Sequence, residues 1–510
     1  RYSPGSPSQM QAVPWKVVGY DVNDDGTFSM EEKPDWLTTL SLTEGEGGTA
    51  ADQGTASFEP AVTDFFDKRN KELKEAQALG TVTPYDLSTK GGSVARSTAN
   101  AYLISAPGHY RIPLVYGNAI KNGNDNPSSY KTSNTGTRIL RNFQDHEGHD
   151  IDDPWIEKSH GGANNGVDGA EVVWADAADL VHSPSITHVG GEGFLDFEVT
   201  AADIQSGNAV VAVTKGSGAS KTVLWSWHLW FAPKDALDKI KVTNHQNKDY
   251  YFTKEALGWK PIQWRSSTYT SARTVKVKVE QTVANNGAKA YTVINITQNP
   301  GGVKKGATTL YQFGRKDAFP GVDASKLAAN SHFTENAGDN MSIKNGILNP
   351  DKFYISGSNW WDNYGYYNLW SADNTTTGFN DNSVIKTVYD PCPVGFKMPA
   401  SNAFTGFTAN GQNNGTMNID GTDNWQTYKN NFGHNFWTNS SKTATIYFSA
   451  SGYRYDGDGS LNSVGISGCY WSAVPGSTNG GCYLGFLSGD VYPLHGNYRP
   501  YGFAARPVSE

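Results

Sequence analysis

The sequence predicts a mainly β protein divided into several domains, and three observations carry that prediction. Its 510 residues exceed what one hydrophobic core organises, so about two to four domains are expected. Only 18% of residues are charged, while 55 are glycine and 12% are aromatic. Gly and Asn tolerate positive φ in turns, and aromatic and β-branched residues fit pleated faces. Apolar and polar residues also alternate in short runs separated by turn residues, which is the period of a half-buried strand.

Taken in order, Arg1-Tyr2-Ser3-Pro4-Gly5-Ser6-Pro7 reads as a linker, and Val13–Tyr20 alternates as a strand before the turn signal Asp24-Asp25-Gly26. Pro34–Leu37 and a Gly/Thr-rich loop continue a small Ig-like β-sandwich over residues 1–95. Residues 64–79 form the best helix candidate, capped by Asp64 and stopped by Gly80, with few apolar residues to bury. A larger sandwich is expected over 96–302, from strands at 101–104, 110–116, 170–174, 194–199, 208–213 and 223–231. Its last two strands, 274–283 and 290–297, flank the tight turn Asn285-Asn286-Gly287. A third domain spans 303–510 and holds the cluster Trp360, Trp361, Tyr364, Tyr366, Tyr367 and Trp370. No fixed-period repeat supports a solenoid or propeller.

Composition and motifs also exclude function classes. A net charge of −8, without a basic arm or stripe, gives no attraction to nucleic acid. No stretch approaches the roughly 20 apolar residues of a membrane span. There is no nucleophile elbow, phosphate-binding loop, zinc-protease motif or dinucleotide fingerprint, so an enzyme is not expected.

Four local features are candidates for specific chemistry. The segment 21–32 has the spacing of a twelve-residue EF-hand loop, with Asp21, Asn23, Asp25, the Thr27 carbonyl and Glu32 as calcium ligands. The competing reading is a solvated Asp-Gly turn, because a strand precedes the loop and no second hand pairs with it. His146 and His149 beside Asp150 and Asp152 are either the start of a metal site or a polar loop. His228, inside Trp225-Ser226-Trp227-His228-Leu229-Trp230, reads as a buried, hydrogen-bonded histidine. Cys469 and Cys482 are a candidate disulfide, since the intervening loop can close, although the register of the two sites is open; Cys392 reads as a buried small hydrophobe.

Longer stretches carry a family resemblance. Residues 100–108 (NAYLISAPG), 112–119 (IPLVYGNA) and 224–231 (LWSWHLWF) resemble the fimbrillin-like surface proteins of Bacteroidota. Residues 389–396 (YDPCPVGF), 450–454 (ASGYR), 469–473 (CYWSA) and 501–508 (YGFAARPV) resemble the Fibrobacter-type major paralogous domain. The resemblance implies export to the cell surface as an outer-membrane lipoprotein or fimbrial component. It also implies tandem β-sandwich domains followed by an α+β C-type-lectin-like domain. Relatives often carry a cysteine in the last strand, facing the one in the Asp-Pro-Cys-Pro turn; Pro507 stands here, leaving Cys392 without that partner.

The aromatic wealth of the third domain has two readings, a ring-filled core or a shallow groove in which rings stack on sugars. For the groove, Trp360, Trp361, Tyr453, Arg454, Asp456, Asp458, Tyr498 and Arg499 are the candidate ligand residues. If extended, the Trp360-Trp361 pair must split, one ring in and one out. The expected function is a non-enzymatic adhesin or fimbria-associated protein that binds a glycan or host surface protein. A structural subunit polymerising with other fimbrial subunits and a glycan-capture protein are the alternatives. The closing Arg506-Pro507-Val508, with no apolar extension, suits a non-polymerising component.

Overall fold

The computed structural model describes residues 12–48, 50–59, 61–284, 286–420 and 424–510, and strand is the dominant element. The linker-like residues 1–7 and Asn285 lie outside them. Most expected strands form within a residue or two of their predicted limits, including Ala101–Ile104, Gly207–Lys215 and Thr222–Phe231. The expected strand 110–116 instead runs Gly108–Pro113, where proline ends the ladder.

The chain divides into two compact units, with boundaries different from those expected. One unit takes residues up to 65 together with 265–303, and the other takes 66–264 together with 304–510. The strands Arg273–Gln281 and Tyr291–Gln298, assigned from sequence to the second domain, belong to the first unit. Arg273–Gln281 lies antiparallel to Trp15–Asp21, with Val17 opposite Val279 and Tyr20 opposite Val277. Period-2 alternation then sets Val275 and Val277 on the face of Val17 and Tyr20, where Trp36 and Leu37 complete a small core. An alternating pattern announces a strand but does not name its partner.

The boundary expected near 302 likewise does not separate two cores. Ala101–Ile104 pairs in parallel with Thr222–Phe231, and the Asn100 side-chain amide donates to the carbonyls of Val388 and Asp390 at 2.7 and 2.8 Å. One buried cluster runs from Leu73 to Val508. Within this unit a four-stranded sheet carries Gly169–Ala175, Gly207–Lys215, Thr222–Phe231 and Ala101–Ile104. A second carries His182–Val189, Glu192–Val199, Gly108–Pro113 and Tyr85–Asp86. A third inserts Val508–Ser509 between Asp249–Thr253 and Phe396–Lys397.

The helix spans Phe65–Glu75, shorter than expected, because Leu79 leaves it to pair with Gly108. It buries Leu73 and Arg69, whose guanidinium grips Glu255 at 2.6 and 2.7 Å and Ser206 at 2.9 Å. No helix among the described residues is long and apolar enough to cross a membrane.

Cys392, Cys469 and Cys482 are free and buried, so the candidate Cys469–Cys482 bridge is not formed. Register gives the reason. Cys469 lies opposite Gly485, whereas Cys482 lies beside Ser472, an odd offset that sends the two side chains to opposite faces of the sheet. Burial pushes both thiols up to about 12, which leaves them inert at neutral pH.

Candidate functional site

The largest sheet of the second unit runs in the order Leu461–Asn462, Tyr453–Arg454, Gly502–Ala505, Gly468–Trp471, Gly480–Phe486, Val491–Tyr498. Along its last strand, Leu494, Gly496 and Tyr498 share a face, with Gly480 opposite Tyr498 and Cys482 opposite Gly496. The glycines at 480 and 496 contribute no side chains, and a cleft of about 480 Å³ opens there. The backbone is crowded at Gly480, where a Cβ would stand 2.9 Å from Ser477 Oγ and 3.2 Å from the Asn497 carbonyl.

Phe379, Leu494 and Tyr498 supply the apolar lining, and Ser477, Asn479 and Asn497 supply the polar groups. Tyr498 is 53% exposed and Phe379 43%, so both rings present a face at the cleft. Ser477 Oγ donates to Asn479 Oδ1 at 2.7 Å, and the Tyr498 N–H donates to Asn497 Oδ1 at 2.9 Å. Both amides are therefore held in fixed orientations. Among the described residues, no carboxylate, histidine, lysine or arginine lines the cleft. Flat apolar faces with a few oriented amide and hydroxyl groups can bind a neutral, hydroxyl-rich ligand.

Arg499, expected on the rim, lies beneath it. It is fully buried, its guanidinium donating to the carbonyls of Tyr364 at 3.1 Å, Tyr366 at 2.6 Å and Ser477 at 3.4 Å. Its backbone N–H donates to the Asn479 carbonyl at 2.9 Å, so it fixes the turn that lines the cleft. Arg454 has the same job elsewhere. It is fully buried and donates to the carbonyls of Pro320, Val322 and Gly459 at 2.8–3.0 Å and to Glu335 at 2.9 Å. Both expectations are corrected for one reason: a guanidinium has five donors, and here carbonyls of irregular loops consume them.

The tryptophan pair splits as expected, though on the short helix Ser358–Asp362 rather than an extended segment. Trp360 is buried at 2% exposure and leaves the set of candidate contact residues; Trp361 is 50% exposed. The Trp361 carbonyl accepts from Arg138 at 2.6 Å. Gly365 abuts both Trp361 and Thr478 of the cleft turn, where a Cβ would stand 2.3 and 3.3 Å from their carbonyls. Tyr453 packs edge-on against Tyr501 and Phe503. Asp456 is buried, its carboxyl raised by desolvation and bonded to the Tyr501 hydroxyl. Asp458 folds onto Ser460, its Oδ1 accepting from that residue's N–H and Oγ. Of the eight candidate residues, only Tyr498 lines the cleft, with Trp361 next to it in the fold.

Phe379, Asn479, Leu494 and Asn497 were missed by sequence reasoning. The available signal was Ser477-Thr478-Asn479-Gly480-Gly481, a turn too rich in small residues to fill its own surface.

Other candidates resolve as follows. His228 is buried, its Nε2 2.9 Å from Asn208 Oδ1 and its Nδ1 3.0 Å from the Tyr311 hydroxyl, and burial lowers its pKa to about 3. His146 is buried with its pKa lowered by desolvation, and His149 stacks on His160 at 4.1 Å. Among the described residues no three His, Cys, Asp or Glu side chains are placed together to hold a metal ion. In the first unit, a cleft of about 800 Å³ is lined by Val17, Leu40, Val277, Ile294 and Ile296 among others.

Comparison with known families adds one match. Residues 418–508 fit the model of a domain of unknown function, DUF8237. That stretch contains the strands Gly480–Phe486 and Val491–Tyr498, which carry Tyr498 and most of the cleft. No curated protein and no solved structure matches the chain.

Proposed function

We propose that this chain is a non-enzymatic surface adhesin or fimbria-associated protein, displayed by outer-membrane anchoring or within a fimbria, that binds a glycan through the Phe379–Tyr498 cleft. The observation that carries the reading is the pairing of two exposed rings with a glycine-floored trough whose polar groups are amides and a hydroxyl. Sugars present apolar C–H faces and a rim of hydroxyls, and this lining offers partners for both. The resemblance of residues 100–119 and 224–231 to fimbrillin-like proteins supports display on the cell surface, with sandwich-type sheets presenting a lectin-like terminal region. Glycan capture for uptake would use the same cleft.

The test is binding of the whole chain to a glycan array, with Tyr498→Ala and Phe379→Ala as variants. Both side chains are exposed, so the fold tolerates their loss. A tenfold or greater loss of affinity, roughly 1.4 kcal/mol, is expected for each. Absence of any binding, or binding untouched by both substitutions, would sink the proposal. Loss with Trp361→Ala as well would extend the site along the neighbouring helix.

A second reading, as a structural subunit that accepts a strand from another copy, is favoured by one feature of the first unit. Tyr291–Gln298 is the last strand of its sheet, and Tyr291, Val293 and Ile294 are 64%, 37% and 50% exposed. An apolar edge, unpaired among the described residues and beside an apolar cleft, is a template for strand addition. Sedimentation equilibrium decides: self-association abolished by Ile294→Lys supports this reading, and a monomer at every concentration removes it.

A further inference from the structure

We propose that the loop 21–32 binds a calcium ion. The claim is independent of the glycan site, which lies in the other unit. Its backbone already has the required shape. Asp24 and Gly26, the fourth and sixth positions of the loop, adopt left-handed φ values of 61° and 82°. Three side chains fold inward onto backbone N–H groups. Asp21 Oδ2 accepts from Gly26 at 3.1 Å, Asn23 Oδ1 from Asp25 at 3.2 Å, and Asp25 Oδ1 from Thr27 at 2.7 Å. Such turns fold the side chains of the first, third and fifth positions over the loop's own backbone.

Loop shape alone does not make a site. The deciding observation is a pair of unpartnered oxygens at its two ends. Asp21 is 2% exposed, and while its Oδ2 is held by Gly26, its Oδ1 is buried with no hydrogen-bond partner. Glu32 Oε2 is likewise buried and unpartnered. A carboxylate oxygen withdrawn from water without a donor is costly, and a cation relieves that cost. These are the first and twelfth positions, where a calcium loop places its anchoring monodentate and bidentate carboxylates.

The remaining ligands would be Asn23 Oδ1, Asp25 and the Thr27 carbonyl, completed by water toward the six to eight oxygens that calcium takes. Asp25 Oδ2 is now held by the Asn23 amide at 3.2 Å, so ion binding displaces that contact and draws Glu32 inward. Asp24 turns away to pair with Lys276 and stays outside the set. The loop joins Trp15–Asp21 to the three-residue turn Met30–Glu32, and Tyr20 and Ser29 exchange backbone hydrogen bonds across it. The ion would therefore clamp the end of a central strand of the first unit's sheet.

Calorimetric titration of the whole chain with calcium chloride tests this, comparing wild type with Glu32→Gln, Asp21→Asn and Glu31→Gln. Glu31 and Glu32 lose the same charge, but only Glu32 is a ligand. Wild type should bind one ion with Kd in the range of about 10⁻⁵–10⁻³ M. Glu32→Gln and Asp21→Asn should weaken it about tenfold or more, and Glu31→Gln should change it less than about twofold. Asp21→Asn also disturbs the buried start of the loop, so Glu32→Gln, with its partly exposed side chain, is the deciding variant. No binding up to ~10 mM calcium, or equal loss from Glu31→Gln and Glu32→Gln, overturns the proposal. Slower amide exchange in residues 20–32 with calcium, absent in Glu32→Gln, supports it.

Discussion

The two units build order from similar material in different ways. In the second unit, Trp174, Trp225, Trp227, Trp230, Trp360, Trp370 and Trp471 are fully buried, and irregular loops are tied to the strands by the buried guanidinium groups of Arg315, Arg454, Arg499 and Arg506. In the first, Val17, Tyr20, Trp36, Leu37, Val275 and Val277 are the buried apolar cluster, and a wide cleft opens beside them. Large rings remove much area per residue, so the second unit tolerates long loops without losing its core. The first has little burial to spare, and its order rests on the strand pairing of Trp15–Asp21 with Arg273–Gln281. The proposed glycan cleft lies on the unit with the larger buried core, and the proposed calcium loop on the sparer one.

The largest effect that would break this contrast is loss of an arginine staple. Arg454→Ala leaves the carbonyls of Pro320, Val322 and Gly459 without their donor, and is expected to cost about 3–5 kcal/mol. Hydrogen exchange read by mass spectrometry should show protection lost across residues 320–335 and 454–460 but retained at residues 273–281 of the first unit. Uniform loss in both units would mean that they unfold as one.

A smaller, pH-dependent effect sharpens the contrast. His228 is neutral in the fold because burial lowers its pKa to about 3. Below its ordinary value of about 6.5 the unfolded chain gains a proton that the folded chain refuses. Stability therefore falls as pH drops from about 6.5 toward 3, by up to about 1.4 kcal/mol per pH unit. Urea unfolding at neutral pH and near pH 5 should show the gap between wild type and His228→Gln narrowing at the lower pH. A constant gap would mean that the imidazole titrates in the fold as it does in the unfolded chain.

Alternating strands such as Ala101–Ile104 and Thr222–Phe231 were legible because burial on a pleated face imposes period 2 on the residues themselves. The partition into units was not, because the pairing of Val277 with Tyr20 joins distant segments by a surface that any alternating strand offers. Within the candidate site, the split of Trp360 from Trp361 was expected of an extended segment and occurs on a short helix instead. Tyr498 is exposed from a strand end rather than a loop. Arg454 and Arg499 were misread because a charged side chain signals surface, and nothing local reveals that backbone carbonyls will surround it.

The strand Val508–Ser509 has a consequence for how the second unit comes into being. It seats Val508 against Phe252, and next to it Arg506 binds the carbonyls of Thr253 and Lys254 at 2.8 and 2.7 Å. Synthesis has to reach Val508 before that sheet can close. Folding is therefore governed by contacts between early and late segments, which makes it slow and leaves strand edges open meanwhile. The segment 418–508 is for the same reason no transplantable cassette: excised, it leaves behind the strand that Val508 needs.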